Sequence, residues 1–275
     1  MMLNFPEYHK IQGLYKRDDK GNFILGDYSL DCFRYLENSV WQWTEKVDGT
    51  NIRIYIDPKV EAQELSDNIS PPFIVEPEIT IGGHHNNSQI PPILKFNLDV
   101  IFGPDNFDRM QDTLEGPVVL YGEGFGGKIQ SGHGIYGYPL EPSFILFDVW
   151  VPDSRNRIGG YWLDYDSVSE IAIGLNIPQV PTATVNGSVI GLATLKQAVY
   201  DVRYHGIPSL CGRAGAQAEG IVGTPKVPLF DRRGRRIITK LKAKDFDFLK
   251  GDTTYTVDTN GPPFDKRAEV RYPVV

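Results

Sequence analysis

The chain has 275 residues, is 41% hydrophobic and 12% aromatic, and carries a formal net charge of −7. That length suits one large domain, or a main domain with a small appendage. Its two cysteines, Cys32 and Cys211, argue against a disulfide framework or a thiolate zinc site and fit a reducing compartment. The opening "MMLNFPEYHKIQ" lacks basic and apolar signal regions, and no run approaches about 18 apolar residues, so the chain reads as soluble, intracellular and cytoplasmic.

In chain order, "SVWQWTEKV" reads as a strand, Asp48-Gly49 as a tight turn and "TNIRIYID" as a second strand. Glu45, Lys46 and Asp48 crowd that turn, either as a solvated hairpin tip or as a nucleophile with its neighbours. Residues 61–72 are polar and end in proline, as a surface loop does. Residues 92–114 carry helical apolar spacing around Ile93, Phe96, Val100 and Phe107, interrupted at "GPD". "PVVLYGEGFGGKIQSG" starts as a buried strand and becomes a glycine-dense loop, and "SFILFDVWV" is another buried strand. Helical patterns follow at 165–175 and 191–204. "AEGIVGTP" and "RIITKLKAKDF" then read as strands joined across "LFDRRGRR", an antiparallel hairpin with a basic tip. Beyond residue 250 periodicity fades, which divides the chain into a main domain, 1–250, and a tail or edge element, 251–275. The fold class is α+β, mainly antiparallel sheet flanked by helices.

The charge is unevenly spread. Between Lys226 and Lys250 nine basic residues face three acids, so an acidic chain holds one local cationic segment. Such a run is either a solvated face or a phosphate site. Residues two apart in a strand share a face, so Lys240 and Lys242 point the same way with Leu241 opposite. Two ammonium groups on one face are either the studding of an exposed edge strand or the seat of an anion. Glu123 sits in "YGEGFGGK", whose glycines permit close backbone approach but do not match a phosphate-loop spacing. A lysine attacks phosphorus only as the free amine, and nearby cations favour that form. Lys46, the Lys240/Lys242 pair and carboxylates at strand ends together are equipment for nucleotidyl transfer.

In this order the segments "KVDG" (46–49), "YGEGFGG", "FILFDV", "EGIV" and "KLK" resemble the motifs of the covalent nucleotidyltransferase superfamily of polynucleotide ligases and mRNA-capping enzymes. Within it the chain is similar to phage and bacterial RNA ligases. The first motif runs on as "EKVDGTN", the glycine-rich segment as "GEGFGGKIQSG", and 33 residues follow Lys242 where other branches usually attach an oligonucleotide-binding barrel.

The resemblance implies the nucleotidyltransferase fold without that C-terminal barrel, and an ATP-dependent RNA ligase using Mg2+ or Mn2+. Lys46 would carry AMP, which passes to an RNA 5′-phosphate before a 3′-hydroxyl seals the strand. Glu45 would lie near the adenine, with Asp48 also in the nucleotide site and Asn51 near the phosphates or metal. Glu123 would bind the ribose and Phe147 stack on the base. Glu219 would hold the metal, with Asp148 adjoining it, while Lys240 and Lys242 would contact the α-phosphate. The tip arginines Arg232, Arg233, Arg235 and Arg236 would hold the RNA strand. His84 departs from the pattern, standing where relatives carry arginine, with His85 beside it. The competing readings are a DNA ligase and a non-catalytic nucleotide or RNA binder of the same fold.

Overall fold

The sequence "WQWTEK" sets the inside and outside of the first sheet. In the strand Trp41–Lys46 successive side chains point to opposite faces, so the wholly buried Trp41 and Trp43 enter a core while Gln42, Thr44 and Lys46 line a cavity on the other side. The computed structural model describes residues 6–58, 76–130, 133–156, 158–185, 188–189 and 191–249. The surface loop expected at 61–72 and the tail at 251–275 lie outside the described residues.

Two five-stranded sheets form the framework. The first runs Gln12–Gly13, Thr239–Lys242, Gly220–Pro225, Trp41–Lys46, Leu192–Ala193 and is antiparallel except at its first pair. The second runs Glu78–Gly83, Thr50–Asp57, Val118–Phe125, Ser143–Pro152, Gly160–Trp162 and is antiparallel throughout. The pairing of Gly220–Pro225 with Thr239–Lys242 is the hairpin expected from sequence.

The strands flanking Asp48-Gly49 correct the simplest local reading. They do not pair with each other: Trp41–Lys46 belongs to the first sheet and Thr50–Asp57 to the second. Val47-Asp48-Gly49 is therefore a crossing between sheets rather than a hairpin tip. A Cβ at Gly49 would stand 2.2 Å from the Gly124 carbonyl oxygen and 2.9 Å from Cγ of Glu123. Close approach between two backbones, not an unusual φ, explains the glycine of "KVDG".

Each sheet has its own helical cover. Helix Leu195–His205 packs Leu195, Ala198 and Val202 beside Trp41 and Trp43. It starts later than the expected 191, because residues 192–193 pair with the sheet edge and Thr194 caps the helix by accepting from the Gln197 N–H. Helices Pro92–Ile101, Phe107–Thr113 and Tyr165–Leu175 cover the second sheet. The break expected at "GPD" is a 3-10 turn, Pro104–Asn106. The face of Pro92–Ile101 is not the expected one: Leu94 and Leu98 are buried, whereas Ile93, Phe96 and Val100 are exposed. This helix is apolar on several sides, and the i,i+4 pair Leu94/Leu98 wins because Leu94 fits over Gly124, where a Cβ would lie 2.3 Å from its Cδ2. Among the described residues no helix is long and apolar enough to cross a membrane.

Gly49→Ala forces two backbones apart and is expected to cost about 1–3 kcal/mol, read as a lower urea midpoint with an unchanged m-value. An unaltered midpoint would show that the crossing tolerates a Cβ.

Candidate active site

A cavity of about 490 Å³ lies between the sheets. Three strands of the first sheet build one end. Gly220 registers with Lys46 on one side and Lys242 on the other, so the two lysines stand in one row with no side chain between them. A Cβ at Gly220 would meet the Leu241 carbonyl at 2.1 Å. Glu219, one residue before that strand, takes the space. Its Oε2 accepts from Lys46 Nζ at 2.5 Å and its Oε1 from Lys242 Nζ at 2.5 Å. Lys240 faces the same cavity, and buried Leu241 points away, as the alternation of "TKLK" requires.

The electrostatics follow from this crowding. Burial alone would raise the Glu219 pKa, but Lys46 and Lys242 outweigh it and hold the carboxyl below its ordinary range. Lys240 is lowered, first by burial and then by the neighbouring Lys242 and Lys46 cations. Asp48 is raised by burial and by Glu219. Its backbone N–H donates to the Tyr138 hydroxyl at 3.0 Å, and Gln130 Nε2 donates to the Gly49 carbonyl at 3.0 Å, so the crossing is held from both sides.

The second sheet supplies the opposite wall. Glu123 lies within the strand Val118–Phe125, not in a surface loop, and burial pushes its carboxyl up to about 8 despite the lowering influence of Lys46. Asn51 sits in register with Glu123 and lines the cavity, and its buried Oδ1 accepts no hydrogen bond. Phe147 lies where the pairing shifts register: Tyr121 opposes Asp148 and Gly122 opposes Leu146, leaving Phe147 as the extra residue of a β-bulge. Bulges re-aim side chains, and this one lines the cavity. His84 also lines it, its pKa lowered by burial and by His85, so the imidazole is neutral at pH 7. His85 instead meets Glu7 at 2.9 Å, on the exposed side of the loop.

Three expectations need correction. Glu45 borders the cavity, but neighbouring strand residues face opposite sides, and its carboxylate points away from the Lys46 side. It accepts from Ser209 Oγ at 2.5 Å and from the Leu210 and Cys211 N–H groups at 2.7 and 3.3 Å. Its carboxylate therefore brackets a loop while the residue itself borders the cavity. Asp148 is spoken for as well: Tyr8 donates to it at 2.6 Å and Arg236 forms a buried salt bridge with it. In this structure both of its oxygens are committed to Tyr8 and Arg236. Arg236 consequently leaves the exposed tip, since its side chain is only 7% exposed. Arg232, Arg233 and Arg235 remain exposed at the tip, Arg235 paired with Asp231 at 2.7 Å.

Several residues had no distinguishing signal in the sequence. Arg53 is buried in Thr50–Asp57 and donates from Nε to the Gly83 carbonyl at 2.8 Å and to Asn86 at 3.0 Å, anchoring the loop that carries His84. Gln42 and Val222 line the cavity from the Lys46 face of the sheet, a position the alternation of "WQWTEK" and "GIVGTP" does encode. A second cleft, of about 440 Å³, shares Lys10, Ile11 and Lys240 with the first and adds Lys242, Lys244 and Arg17. Its single acid, Asp245, pairs with Arg17 at 2.8 Å. The N-terminal strand Gln12–Gly13, paired with Thr239–Lys242, brings Lys10 there from 230 positions away in sequence.

The sequence profile of the RNA ligase family matches residues 39–242, and the chain belongs to that family. No curated protein sequence matches the chain significantly. Similar solved structures include a lysine-to-methionine mutant of Naegleria gruberi RNA ligase with AMP and Mn, at 15% identity and a TM-score of 0.49, covering 87% of this chain and 62% of that one. Naegleria gruberi RNA ligase with PPi is 14% identical, at a TM-score of 0.48, with 90% and 64% covered. The chain thus spans less than two thirds of the length of these structures.

The raised Glu123 pKa carries a defined pH dependence. Between its ordinary value near 4.5 and about 8 the unfolded chain is ionised there while the folded chain keeps the proton, so stability falls as pH rises through that window. Glu123→Gln removes this contribution. Its urea stability relative to wild type is expected to improve between pH 5 and 8, by at most about 1.4 kcal/mol per pH unit. Parallel profiles of the two proteins would contradict the buried, protonated state.

Proposed function

We propose that the chain is an ATP-dependent RNA ligase that works through a lysyl-AMP intermediate at Lys46. The observation that carries this reading is the shared Glu219 carboxylate. It places Lys46, at one end of a cavity whose remaining walls include Phe147, Val222 and the buried acid Glu123, beside Lys242 of the adjoining cleft.

Lys46 Nζ leaves Glu219 and attacks the α-phosphorus of ATP. A P–N bond forms, the bond to the β-phosphate oxygen breaks, pyrophosphate departs, and the amine loses its proton. Lys240 and Lys242 offset charge on the α-phosphate oxygens. An oxygen of the RNA 5′-phosphate next attacks the adenylate, freeing Lys46, and a 3′-hydroxyl then displaces AMP to form the phosphodiester. Protonated Glu123 can donate a hydrogen bond to a ribose hydroxyl, and Phe147 offers a face to the base.

Among the described residues no three His, Cys, Asp or Glu side chains form a metal-binding group. The residues still fit Mg2+ or Mn2+, because such ions are commonly held by one or two carboxylates together with substrate phosphates. Glu219 is the carboxylate for that, with the Asn51 Oδ1 as a further oxygen facing the cavity. A bound ion there supplies charge stabilisation at the transferring phosphoryl group.

The basic cleft beyond Lys240 and Lys242 is the surface for the 5′-phosphorylated RNA, with Lys10 and Lys244 as exposed phosphate contacts. Arg232 and Arg233 add to it from the hairpin tip.

Incubation with α-labelled ATP and magnesium, followed by denaturing electrophoresis, is expected to give an acid-labile protein adduct that Lys46→Ala abolishes. Folded wild-type protein that forms no adduct with any nucleoside triphosphate sinks the ligase reading. Lys10→Ala/Lys244→Ala is expected to keep adduct formation while weakening binding of 5′-phosphorylated RNA. The slope of log affinity against log salt should shallow by about 0.7 for each lost contact. An unchanged salt slope would remove the cleft from the RNA path.

A further inference from the structure

Farther along the strand that carries Lys46, the cavity is lined by a polar group that the chemistry so far does not use. Gln42 lies four residues before Lys46 on the same face of the same strand, about 13 Å away at the usual rise per residue. It is 8% exposed and lines the cavity, yet among the described residues its side-chain amide makes no hydrogen bond. Thr224 is its partner in register on the neighbouring strand and lines the cavity too, as does Thr44 between Gln42 and Lys46. The space between these groups and the charged end is walled by Val222, Val180 and Phe147. An amide that lines a cavity without a protein partner is available to bond what enters it. Glu45, the residue the family resemblance assigns to the base, has its carboxylate turned to Ser209, Leu210 and Cys211.

We infer that Gln42 is the base-reading residue of this site, pairing bidentately with the N6 and N7 edge of adenine. The inference rests on the ligase reading and deepens it. An adenylate whose phosphorus lies at Lys46 points its base along the Lys46, Thr44, Gln42 row, between Phe147 and Val222. The amide NH2 donates to N7 and the amide oxygen accepts from the N6 amine, the pairing glutamine makes with adenine in nucleic-acid recognition. Guanine offers acceptors at both positions, O6 and N7, and leaves the amide oxygen facing O6. The Thr44 and Thr224 hydroxyls flank Gln42 on the same face of the sheet.

The test measures adduct formation by wild type, Gln42→Leu and Gln42→Glu with labelled ATP, GTP and 7-deaza-ATP, beside thermal unfolding of each protein. Gln42→Leu is expected to raise the ATP concentration for half-maximal adduct by about tenfold to a hundredfold, and to shrink the ATP-over-GTP preference by a similar factor. Gln42→Glu, which still accepts from N6 but cannot donate to N7, is expected to fall between the two. Wild type is expected to use 7-deaza-ATP at least tenfold less well than ATP, a readout that does not depend on any variant folding. Equal use of ATP and 7-deaza-ATP by wild type, or an unchanged base preference in folded Gln42→Leu, overturns the inference while leaving the ligase reading in place. Failure of wild type to form any adduct overturns both.

Discussion

The Glu219 carboxylate is the interaction on which the site depends. Two lysines brought into one row of a sheet repel each other, and the cost grows as water is removed. A single carboxylate with one oxygen on each ammonium resolves this without a ligand. It does so because Gly220 contributes no side chain and lets three strands close to a spacing that a Cβ would prevent. The protein can therefore fold with this lysine cluster already assembled. A phosphate that enters competes for lysines that are in place, which limits the reorganisation needed during the reaction.

The period of two in a strand explains most of what the site includes and excludes. Lys46 and Glu45 are adjacent in sequence, but one faces the cavity and the other the loop at 209–211. Phe147 and Asp148 show how the rule is bent. The bulge at Phe147 turns its ring to the cavity while Asp148 stays in register with Tyr121, meeting Tyr8 and Arg236. Arg236 belongs to the first sheet's hairpin and Asp148 to the second sheet, so their buried pair ties the sheets together at the cavity wall. That pair positions the hairpin of the first sheet against the strand Ser143–Pro152 of the second.

The α+β class, the antiparallel hairpin of "EGIVGTP" and "IITKLK", and the shared face of Lys240 and Lys242 were legible because each follows from local alternation. The joint order of "KVDG", "GEG", "FDV", "EGIV" and "KLK" made the family legible, and the profile match over 39–242 agrees. What local pattern could not reveal is which elements meet. Nothing near Asp48 states that its two flanking strands part into different sheets, and nothing in "YHKIQG" brings Lys10 beside Lys244. The exposed face of Pro92–Ile101 misled for a related reason. With apolar residues on several sides, only the shape of the partner, the bare backbone at Gly124, selects Leu94 and Leu98.

The departure at His84 now has a physical setting. A neutral imidazole cannot supply the charge of the arginine that the family resemblance leads one to expect, and His85 faces Glu7 instead. Arg53 is close in sequence to the nucleophile but is consumed by the Gly83 carbonyl and Asn86, holding the histidine loop against the cavity. The positive charge of the site is therefore concentrated in the first sheet, on Lys46, Lys240 and Lys242, and continues into the second cleft through Lys10 and Lys244. Along the first sheet the cavity lining passes from Lys46 through Thr44 and Val222 to Gln42 and Thr224, with the Lys226–Asp166 pair beyond them. The first sheet thus brings Lys46, Thr44 and Gln42 to the cavity on one face of a single strand, while the opposite sheet brings the ring of Phe147 and the buried carboxyl of Glu123.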